Sequence, residues 1–335
     1  MTEVTIVGGG PAGSALAIEL GRRGVPVVLY EKAHHPRPKA CGEGLLPHGV
    51  AALAELAGLP AAPLLRGLRF VAGSVSVDAD FPSGHGLVIR RDRFDAWLFD
   101  LAAATPNVDA RPGTAYRPSA TRFLVGADGI RSMFHRQLRP TAGTPARVGL
   151  SAHVVGIEGL TDRVEVFFHD EGELYVAPAG GGEASVSALL HYPHVRRDGI
   201  SYLLHKTTAL RDRRGRLEFT TPVLASAPLG LHVPRIVNER EGLLLVGDAA
   251  GAPDPITAGG LSLALAATRP AADAIASGAL GEYERRRLAM GRKARRLGRL
   301  MLCLGRNERR AAWVLRQMPA LIPPLLESAV ARHAD

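Results

Sequence analysis

Residues 4–31, VTIVGGGPAGSALAIELGRRGVPVVLYE, constrain the fold more than any other part of the chain. An apolar run meets a glycine-rich turn, a helix of small residues follows, and a second apolar run ends in Glu31. In this pattern Gly8 permits a tight turn, Gly10 lets the backbone approach a pyrophosphate, and Gly13 lets helix and strand pack closely. The stretch therefore predicts a β-α-β unit that binds a dinucleotide.

The two ends of this unit indicate how the ligand is held. The helix begins at Pro11 and Ala12, where free amides and the helix dipole favour phosphate groups. Glu31 ends the second strand, where a carboxylate accepts hydrogen bonds from ribose hydroxyls, and we assign the adjacent Lys32 to the same site. An acid at this position favours a ribose without a phosphate, so FAD or NAD fits better than NADP.

Length and composition limit the class of protein. A chain of 335 residues with 46% hydrophobic and 22% charged residues is typical of a soluble protein of about two domains. The sequence shows neither a signal peptide nor an apolar run long enough to span a membrane, so we expect a cytoplasmic protein. Two cysteines, Cys41 and Cys303, form no disulfide framework, and the 12 histidines show no metal-ligand spacing. We predict no metal site.

The net charge of +9 comes from one segment. Residues 285–316 contain twelve Arg or Lys and one acid, which leaves the rest of the chain near −2. Apolar residues recur there at helical spacing, at Leu297, Leu300, Met301 and Leu304. We interpret the segment as a helix whose apolar stripe packs on the protein and whose basic face is solvated. The alternatives are peripheral docking to anionic lipid, to an acidic carrier protein, or to a phosphorylated substrate. Nucleic acid is not predicted, because aromatic residues are sparse there.

Local patterns predict the secondary structure. Helical patterns occur at 47–56, 93–104, 202–214 and 261–276, and from 282 to the end with interruptions near Pro319 and at 323–324. Strand patterns occur at 68–71, 75–77, 87–89 and 242–246, and a β meander is predicted at 147–192.

The nucleotide-binding pieces are scattered along the chain, which predicts interleaved domains. We assign 1–45, 88–138 and 238–278 to a nucleotide-binding domain, 46–87 and 139–237 to a β-rich substrate domain, and 279–335 to a C-terminal helical segment. The predicted fold class is α/β.

Two further motifs extend the nucleotide site. In FLVGADGIRS, residues 123–132, Asp128 follows a strand and can cap the turn or reach a ribose or a bridging water. In LLLVGDAAGAPDPITAGGLSL, residues 243–263, Asp248 can bind a sugar hydroxyl. In the same motif Pro255 stiffens the loop, and Gly259 and Gly260 allow the N-terminus of the next helix, which continues with Leu261, to approach the ligand closely. The amides of this helix start could stabilise negative charge on a reduced ring.

Together, GGGPAG, ADGIRS and GDAAG resemble the three nucleotide-site motifs of the FAD-dependent oxidoreductases that group aromatic hydroxylases of the p-hydroxybenzoate hydroxylase type with geranylgeranyl reductases. Arg91, in RDRFDAWL, resembles the flavin-side arginine of that superfamily. The resemblance implies FAD bound in extended form. It also implies a glutathione-reductase-type, Rossmann-like three-layer domain interleaved with a β-sheet substrate domain. NAD(P)H would be a transient reductant, or an external partner would reduce the flavin.

Finer features resemble the reductase branch. KACGEG, residues 39–44, is similar to its segment beside the flavin ring, which assigns Cys41 and Gly42 to the cofactor site. Tyr175 and Pro178 resemble its substrate-lining aromatic-x-x-Pro segment. The chain departs from the pattern with TAGG at 257–260 and with a histidine at position 135 where an arginine is usual. Residues 105–125 are also short for the usual β ribbon. These departures bear on the substrate and the reaction subtype.

The resemblance leaves the reaction open. The sequence slightly favours a monooxygenase that hydroxylates a hydrophobic metabolite, with backbone donors of the loop at Pro255 taking part. The close alternative is a geranylgeranyl-type reductase of C=C bonds, in which Cys41 supplies the proton. A redox-silent flavin scaffold is the third hypothesis.

Overall fold

The computed structural model of the protein describes residues 2–138, 147–227 and 229–321. The strands in chain order are β1 (Thr2–Val7), β2 (Val27–Glu31), β3 (Gly44–Leu45), β4 (Leu64–Leu65), β5 (Gly67–Ala72), β6 (Val75–Asp80), β7 (Gly86–Val88), β8 (Val108–Pro112), β9 (Thr121–Gly126), β10 (Arg147–Ile157), β11 (Arg163–His169), β12 (Gly172–Gly180), β13 (Glu183–His191), β14 (Arg214–Phe219), β15 (Leu224–Ser226), β16 (Val237–Asn238) and β17 (Leu243–Leu245). The helices are α1 (Pro11–Arg22), α2 (Pro47–Ala57), α3 (Arg91–Ala103), α4 (His135–Leu138), α5 (Gly199–Lys206), α6 (Gly260–Ala266), α7 (Thr268–Ser277), α8 (Leu280–Leu304) and α9 (Glu308–Gln317).

A six-stranded, mostly parallel sheet forms the first layer, in the order β16-β17-β9-β1-β2-β8. Strand β1 pairs in parallel with β2 and β9, and β17 pairs in parallel with β9. Helix α1 packs on this sheet through small residues such as Ala15 and Ala17, which are fully buried. Because β1, β2, β9 and β17 run in the same direction, the motifs that follow them meet at one edge, where ligands of open α/β sheets bind.

An eight-stranded sheet forms the second layer, in the order β14-β10-β13-β12-β11-β5-β6 with β15 also on β10. Its pairs are antiparallel except β5 with β11. One face is an apolar core of alternate residues such as Val176, Val186 and Leu190, covered by α5 through Leu203 and Leu204. A small sheet, β3-β7-β4, contains the end of the KACGEG segment. The protein is therefore α/β, with sheets of different character interleaved along the chain.

The structure corrects several predicted elements. The predicted helix 261–276 is two helices, which meet at Ala267. The predicted helix 202–214 is α5 followed by a 3-10 turn at Thr208–Arg213. The C-terminal helical pattern first breaks at 305–307, between α8 and α9, because Gly305 caps α8 and Asn307 caps the start of α9. The predicted interruption at 323–324 lies outside the described residues.

Candidate active site

In the glycine-rich turn after β1, some glycines are required by the packing of the protein, whereas Gly10 faces open space. Gly8 has a φ of +113°, and a Cβ on Gly13 would lie 1.9 Å from the Gly8 carbonyl oxygen, so both residues are fixed by packing. A Cβ on Gly10, in contrast, would meet no atom within 4 Å. Gly10 precedes Pro11 at the N-terminus of α1, where the structure shows no side-chain cap. The open space lies where a pyrophosphate would bind.

Glu31 closes the other side of this turn. Its carboxylate is 3% exposed and accepts hydrogen bonds from the amides of Gly9, at 2.8 Å, and Ala33, at 2.9 Å. A carboxylate has further lone pairs, so these two bonds leave Glu31 able to accept bonds from ribose hydroxyls. The adjacent Lys32 is exposed. Arg37 lies 3.6 Å from the Glu31 carboxylate.

Asp128 and the GDAAG turn lie at the same sheet edge. The Oδ2 atom of Asp128 accepts a hydrogen bond from the Met133 amide at 2.8 Å, and Oδ1 is buried with no partner among the described residues. An unsatisfied buried carboxylate oxygen fits a ligand hydroxyl or a bridging water. His135 Nε2 lies 2.9 Å from the Ala249 carbonyl oxygen and joins this motif to the turn that contains Asp248.

Lys39 extends toward these motifs, a contact that sequence reasoning did not predict. Burial and the nearby Arg91 lower the pKa of Lys39, while Asp248 acts in the opposite direction. A Cβ built on Gly129 of ADGIRS would lie 3.6 Å from Lys39 Nζ. Lys39 therefore lies near both the ADGIRS and the GDAAG motifs.

Arg287 supports the GDAAG turn from helix α8. Its guanidinium is buried and donates to the carbonyl oxygen of Gly251 at 2.9 Å and of Gly247 at 3.4 Å. Burial lowers the pKa of Arg287. Tyr283, one turn earlier, donates to the Leu245 carbonyl oxygen at 2.9 Å, and burial raises its pKa to about 12. Arg287 of the basic segment is thus buried beneath the GDAAG turn, whereas Arg285 and Arg286 before it are exposed.

Cys41 lies in a loop held between the two large sheets. Its amide donates to Ser151 Oγ on β10 at 3.1 Å, and its sulfur accepts a hydrogen bond from the Glu43 amide at 3.3 Å. Arg91 is buried beside it and makes two hydrogen bonds to Asp95, at 2.7 and 2.8 Å. Burial lowers the pKa of Arg91, but Asp95 and Cys41 outweigh this effect and raise it overall. The buried ion pair of Arg91 and Asp95 therefore lies near Cys41.

Glu43 fixes the conformation of this loop. It is 4% exposed and has a φ of +60°, which is unusual for a residue with a side chain. Its Oε1 atom accepts a hydrogen bond from the Arg91 amide at 3.0 Å, at the start of α3, and its Oε2 atom lies 2.7 Å from His153 Nε2. The structure shows a buried cap, and His153 was missed because it lies 110 residues away.

The loop 255–260 packs against the Cys41 loop. The Leu46 amide donates to Ser262 Oγ at 2.9 Å, and the Cβ of Ala258 lies 4.0 Å from an ideal Cβ on Gly44. Asp254, just before Pro255, accepts a hydrogen bond from the Ile256 amide at 3.0 Å and pairs with Arg147 at 2.7 Å. The structure therefore brings the predicted flavin-side segments together.

Helix α6 starts at this loop. A Cβ on Gly260 would meet nothing within 4 Å, whereas one on Gly259 would lie 3.6 Å from Thr257 Oγ1. Leu261 follows as a partly buried residue packed against the main core. The open side of Gly260 leaves room for a ligand at the helix start.

The predicted substrate-lining residues separate in the structure. Tyr175 on β12 packs its ring against the apolar cluster that contains Phe168 and Ala177. Side chains alternate along a strand, so Pro178, three residues further, occupies the position of opposite parity. The structure therefore does not bring Pro178 to the face that Tyr175 shares.

The rest of the basic segment has a mixed environment. Met301 packs against an apolar cluster, while Leu300 is exposed. Leu297 and Leu304, the other two residues of the predicted stripe, lie outside the described side chains. On α9, Ala311 and Leu315 pack inward. Within 2–138, 147–227 and 229–321, no helix is long and apolar enough to cross a membrane.

Comparisons with known proteins identify the family and the cofactor. Residues 1–60 match the FAD binding domain family. The chain is 30% identical to menaquinone reductase of Mycobacterium tuberculosis over 314 residues, which covers 82% of this chain and 76% of that protein. It is 27% identical to digeranylgeranylglycerophospholipid reductase 2 of Methanopyrus kandleri over 321 residues, covering 82% and 76%.

Solved structures share the fold at lower identity. The flavin-dependent brominase Bmp2 has a TM-score of 0.82 at 18% identity, over 99% of this chain and 94% of that one. The monooxygenase PqsL of Pseudomonas aeruginosa has a TM-score of 0.76 at 18% identity, over 94% and 100%.

The chain belongs to the FAD-dependent oxidoreductase family that includes these menaquinone and digeranylgeranylglycerophospholipid reductases. Its cofactor is FAD. The residues fit that group: Gly10 and Gly260 leave open space, Glu31 stands at the end of β2, and Asp128 has an unsatisfied buried oxygen.

Proposed function

We propose that the protein reduces a C=C bond of a hydrophobic small molecule. The observation that carries this proposal is the place of Cys41, held by Ser151 and the Glu43 amide beside the buried charge of Arg91. When bound and reduced by NAD(P)H, the flavin would supply a hydride. The hydride adds to one carbon of the double bond, and a proton must reach the other.

Cys41 is the proposed proton donor. Its S–H bond breaks as a C–H bond forms, and the electron pair stays on sulfur as a thiolate. Arg91 stabilises this thiolate because a buried cation next to an anion is a strong charge pair. The Glu43 amide adds a hydrogen bond to the same sulfur. Solvent then returns a proton to Cys41 before the next cycle.

Reduction is supported over hydroxylation by the relatives. The proteins related at 27–30% identity are named as reductases, and the KACGEG segment is similar to the reductase branch. The neighbours that include a monooxygenase share the fold at 18% identity. Hydroxylation, which the sequence slightly favoured, stays an alternative that experiment separates.

The test is mass spectrometry of products from the purified flavoprotein with NADPH, with and without oxygen. Menaquinone and geranylgeranylated glycerophospholipid are suitable substrates. A product formed without oxygen that stays two hydrogens heavier after exposure to air supports C=C reduction, because a quinone reduced only at its carbonyl groups is reoxidised to the mass of the substrate. A product one oxygen heavier, formed only with oxygen, contradicts it. Turnover by a flavin that stays oxidised throughout favours the scaffold hypothesis.

We further propose that α9 docks on an anionic lipid surface. Arg309, Arg310 and Arg316 are exposed there together with Trp313, whose side chain is 55% exposed. An exposed tryptophan among arginines matches the membrane interface, where the ring enters the headgroup region and the cations bind lipid phosphates. Docking would bring a lipid-borne substrate to the enzyme.

A further inference from the structure

Two guanidinium groups of helix α8 meet over one glycine. Arg287, Gly291 and Arg295 recur every four residues, so they share a face of the helix. A Cβ built on Gly291 would lie 2.7 Å from Arg295 Nη1 and 3.3 Å from Arg287 Nη1. Glycine in the interior of a helix is less favourable than alanine, and here the bare backbone makes room for both side chains. The two guanidinium groups therefore border the same small space.

These two positive charges are not balanced by a contacting carboxylate. No carboxylate of the described residues forms an ion pair with Arg287 or Arg295. Burial lowers the pKa of Arg287, while Tyr283 and Asp248 act in the opposite direction. Arg287 is 2% exposed, and its Nε atom has no hydrogen-bond partner in the described part of the chain. A buried cation beside a like charge is unfavourable, and an anion bound to both would relieve this.

Further cations surround the pair. Burial lowers the pKa of Arg295, and three other arginines lower it further, namely Arg287, Arg292 and Arg299. Arg292 and Arg299 are exposed on the same helix. His232 is near as well, because burial, Arg295 and Arg299 lower its pKa, so its imidazole is neutral at neutral pH. The site therefore favours a ligand with more than one negative charge.

This arrangement matches the chemistry of a phosphate group. Guanidinium groups bind phosphate through paired N–H bonds, and a phosphate monoester carries about two negative charges at pH 7. A bilayer surface cannot reach Arg287, because this side chain is buried, unlike the exposed arginines of α9. A small soluble molecule can enter between the two side chains.

We propose that Arg287 and Arg295 bind the phosphate group of a small soluble molecule, with Arg292 and Arg299 at the rim of the site. Two sources supply this chemistry, namely a nucleotide such as NADPH, through its 2′-phosphate, and free inorganic phosphate. Because Arg287 also donates to the Gly247 and Gly251 carbonyl oxygens, an occupied site would be linked to the GDAAG turn. The proposal holds whichever reaction the flavin performs.

The experiment measures binding to oxidised holoenzyme in excess FAD, so that the cofactor occupies its own pyrophosphate site. The probes are adenosine 2′-monophosphate, adenosine and inorganic phosphate, each titrated by calorimetry. Arg295 is the residue to change, because Arg287 also supports the GDAAG turn. Arg295→Gln is expected to weaken both phosphate-bearing probes by about tenfold or more, through the loss of charged hydrogen bonds, and to change adenosine less than about twofold.

Two further variants separate a specific site from general charge. Arg296→Gln removes the same charge from the next residue, which is exposed, and should change the phosphate affinities less than about twofold. Gly291→Ala keeps every charge, but its methyl group displaces the Arg295 guanidinium, and it should weaken phosphate by about threefold or more. Thermal unfolding adds a second readout. Without phosphate, Arg295→Gln should have at least the Tm of the wild type, because it removes a repulsion, and phosphate should raise the Tm of the wild type more.

Each outcome decides a point. Phosphate affinities that survive Arg295→Gln overturn the proposal, and so does an equal loss in Arg296→Gln. Adenosine that binds as tightly as its 2′-monophosphate, or a lower Tm of Arg295→Gln without phosphate, also contradicts it. Among supporting outcomes, Arg295-dependent binding of adenosine 2′-monophosphate that is tighter than that of inorganic phosphate identifies a nucleotide as the source. Equal affinities for these two probes identify free phosphate.

Discussion

Glu43 Oε2 lies 2.7 Å from His153 Nε2, and this contact joins the Cys41 loop to the eight-stranded sheet. The other carboxylate oxygen accepts the Arg91 amide, so one buried side chain connects the loop, the start of α3 and strand β10. Because Glu43 also has a positive φ, the loop keeps its shape only while these bonds hold it.

Replacing Glu43 with alanine should destabilise the protein. The change leaves the Arg91 amide and the His153 imidazole without their acceptor, and we expect the free energy of unfolding to fall by about 2 kcal/mol. Urea denaturation measures it. Glu55→Ala, at an exposed residue of α2 with a loose ion pair to Arg269, is the control and should change stability by less than about 0.5 kcal/mol. Equal losses in the two variants would mean that the Glu43 contacts contribute little.

Two glycines of one motif should respond differently to substitution. Gly10→Ala should lower FAD affinity by about tenfold or more while apoprotein stability stays near wild type, because the added methyl fills only ligand space. Gly13→Ala should lower stability as well, since its Cβ would overlap the Gly8 carbonyl oxygen. Fluorescence quenching of added FAD and thermal unfolding of the apoprotein measure the two effects. Unchanged FAD affinity in Gly10→Ala would place the pyrophosphate elsewhere.

Arg287 should support cofactor binding from a distance. Arg287→Met removes the donor to the Gly247 and Gly251 carbonyl oxygens, and we expect FAD affinity to fall by about tenfold with the flavin site otherwise intact. Arg286→Met is the matched control, because Arg286 is exposed and pairs only at the surface with Glu282. The two FAD dissociation constants decide the point. Identical values would show that the buried arginine only packs.

Local patterns predicted the β-α-β unit of residues 2–31 because its geometry is local. The turn at Gly8–Gly13, the acid at Glu31 and the order of the later motifs follow from a β-α-β unit, whose strand directions force the motifs to one edge. The β-α-β unit alone left FAD and NAD open, and the assignment of FAD came from the resemblance of the three motifs to those of FAD-dependent oxidoreductases.

Local sequence patterns could not predict the contacts between the Cys41 loop and the eight-stranded sheet. His153 meets Glu43, and Ser187 meets the Gly42 backbone, only through the register of β10 and β13. Arg287 shows a second limit, since a count of positive charges does not tell a buried arginine from a solvated one. Both depend on tertiary packing, which single-sequence periodicity does not encode.

His169 should make the fold sensitive to mild acid. His169 is buried, and its Nε2 atom lies 2.9 Å from Thr207 Oγ1. Burial and the nearby Lys206 lower the pKa of His169 to about 4, although Glu171 and Asp170 act in the opposite direction. Glu308 lies 3.9 Å from its Nδ1 atom. Between pH 6.5 and pH 4 the unfolded chain binds a proton that the folded protein does not, so stability falls as the pH falls through this window.

The size of that effect can be measured by substitution. His169→Gln keeps a donor to Thr207 but cannot be protonated. We expect the stability advantage of the wild type over His169→Gln to shrink by up to about 1.4 kcal/mol per pH unit between pH 6 and pH 5. Denaturant unfolding at several pH values tests this. A difference that stays constant over the window would mean that His169 is readily protonated in the folded state.

Helix α9 should bind anionic membranes in a salt-dependent manner. Removing two interfacial charges in Arg309→Gln/Arg316→Gln should weaken binding to phosphatidylserine-containing vesicles by about 2 kcal/mol, or about thirtyfold, because each arginine near the surface contributes about 1 kcal/mol. Arg211→Gln/Arg240→Gln removes the same charge from exposed positions elsewhere and serves as the control. Trp313→Ala should weaken binding without changing its salt dependence, because the ring contributes by burial. Vesicle co-sedimentation at low and physiological salt measures all three. Equal losses of vesicle affinity in the two double variants would show that net charge, rather than the α9 surface, attracts the protein. Vesicle binding that does not change with salt concentration would exclude electrostatic docking.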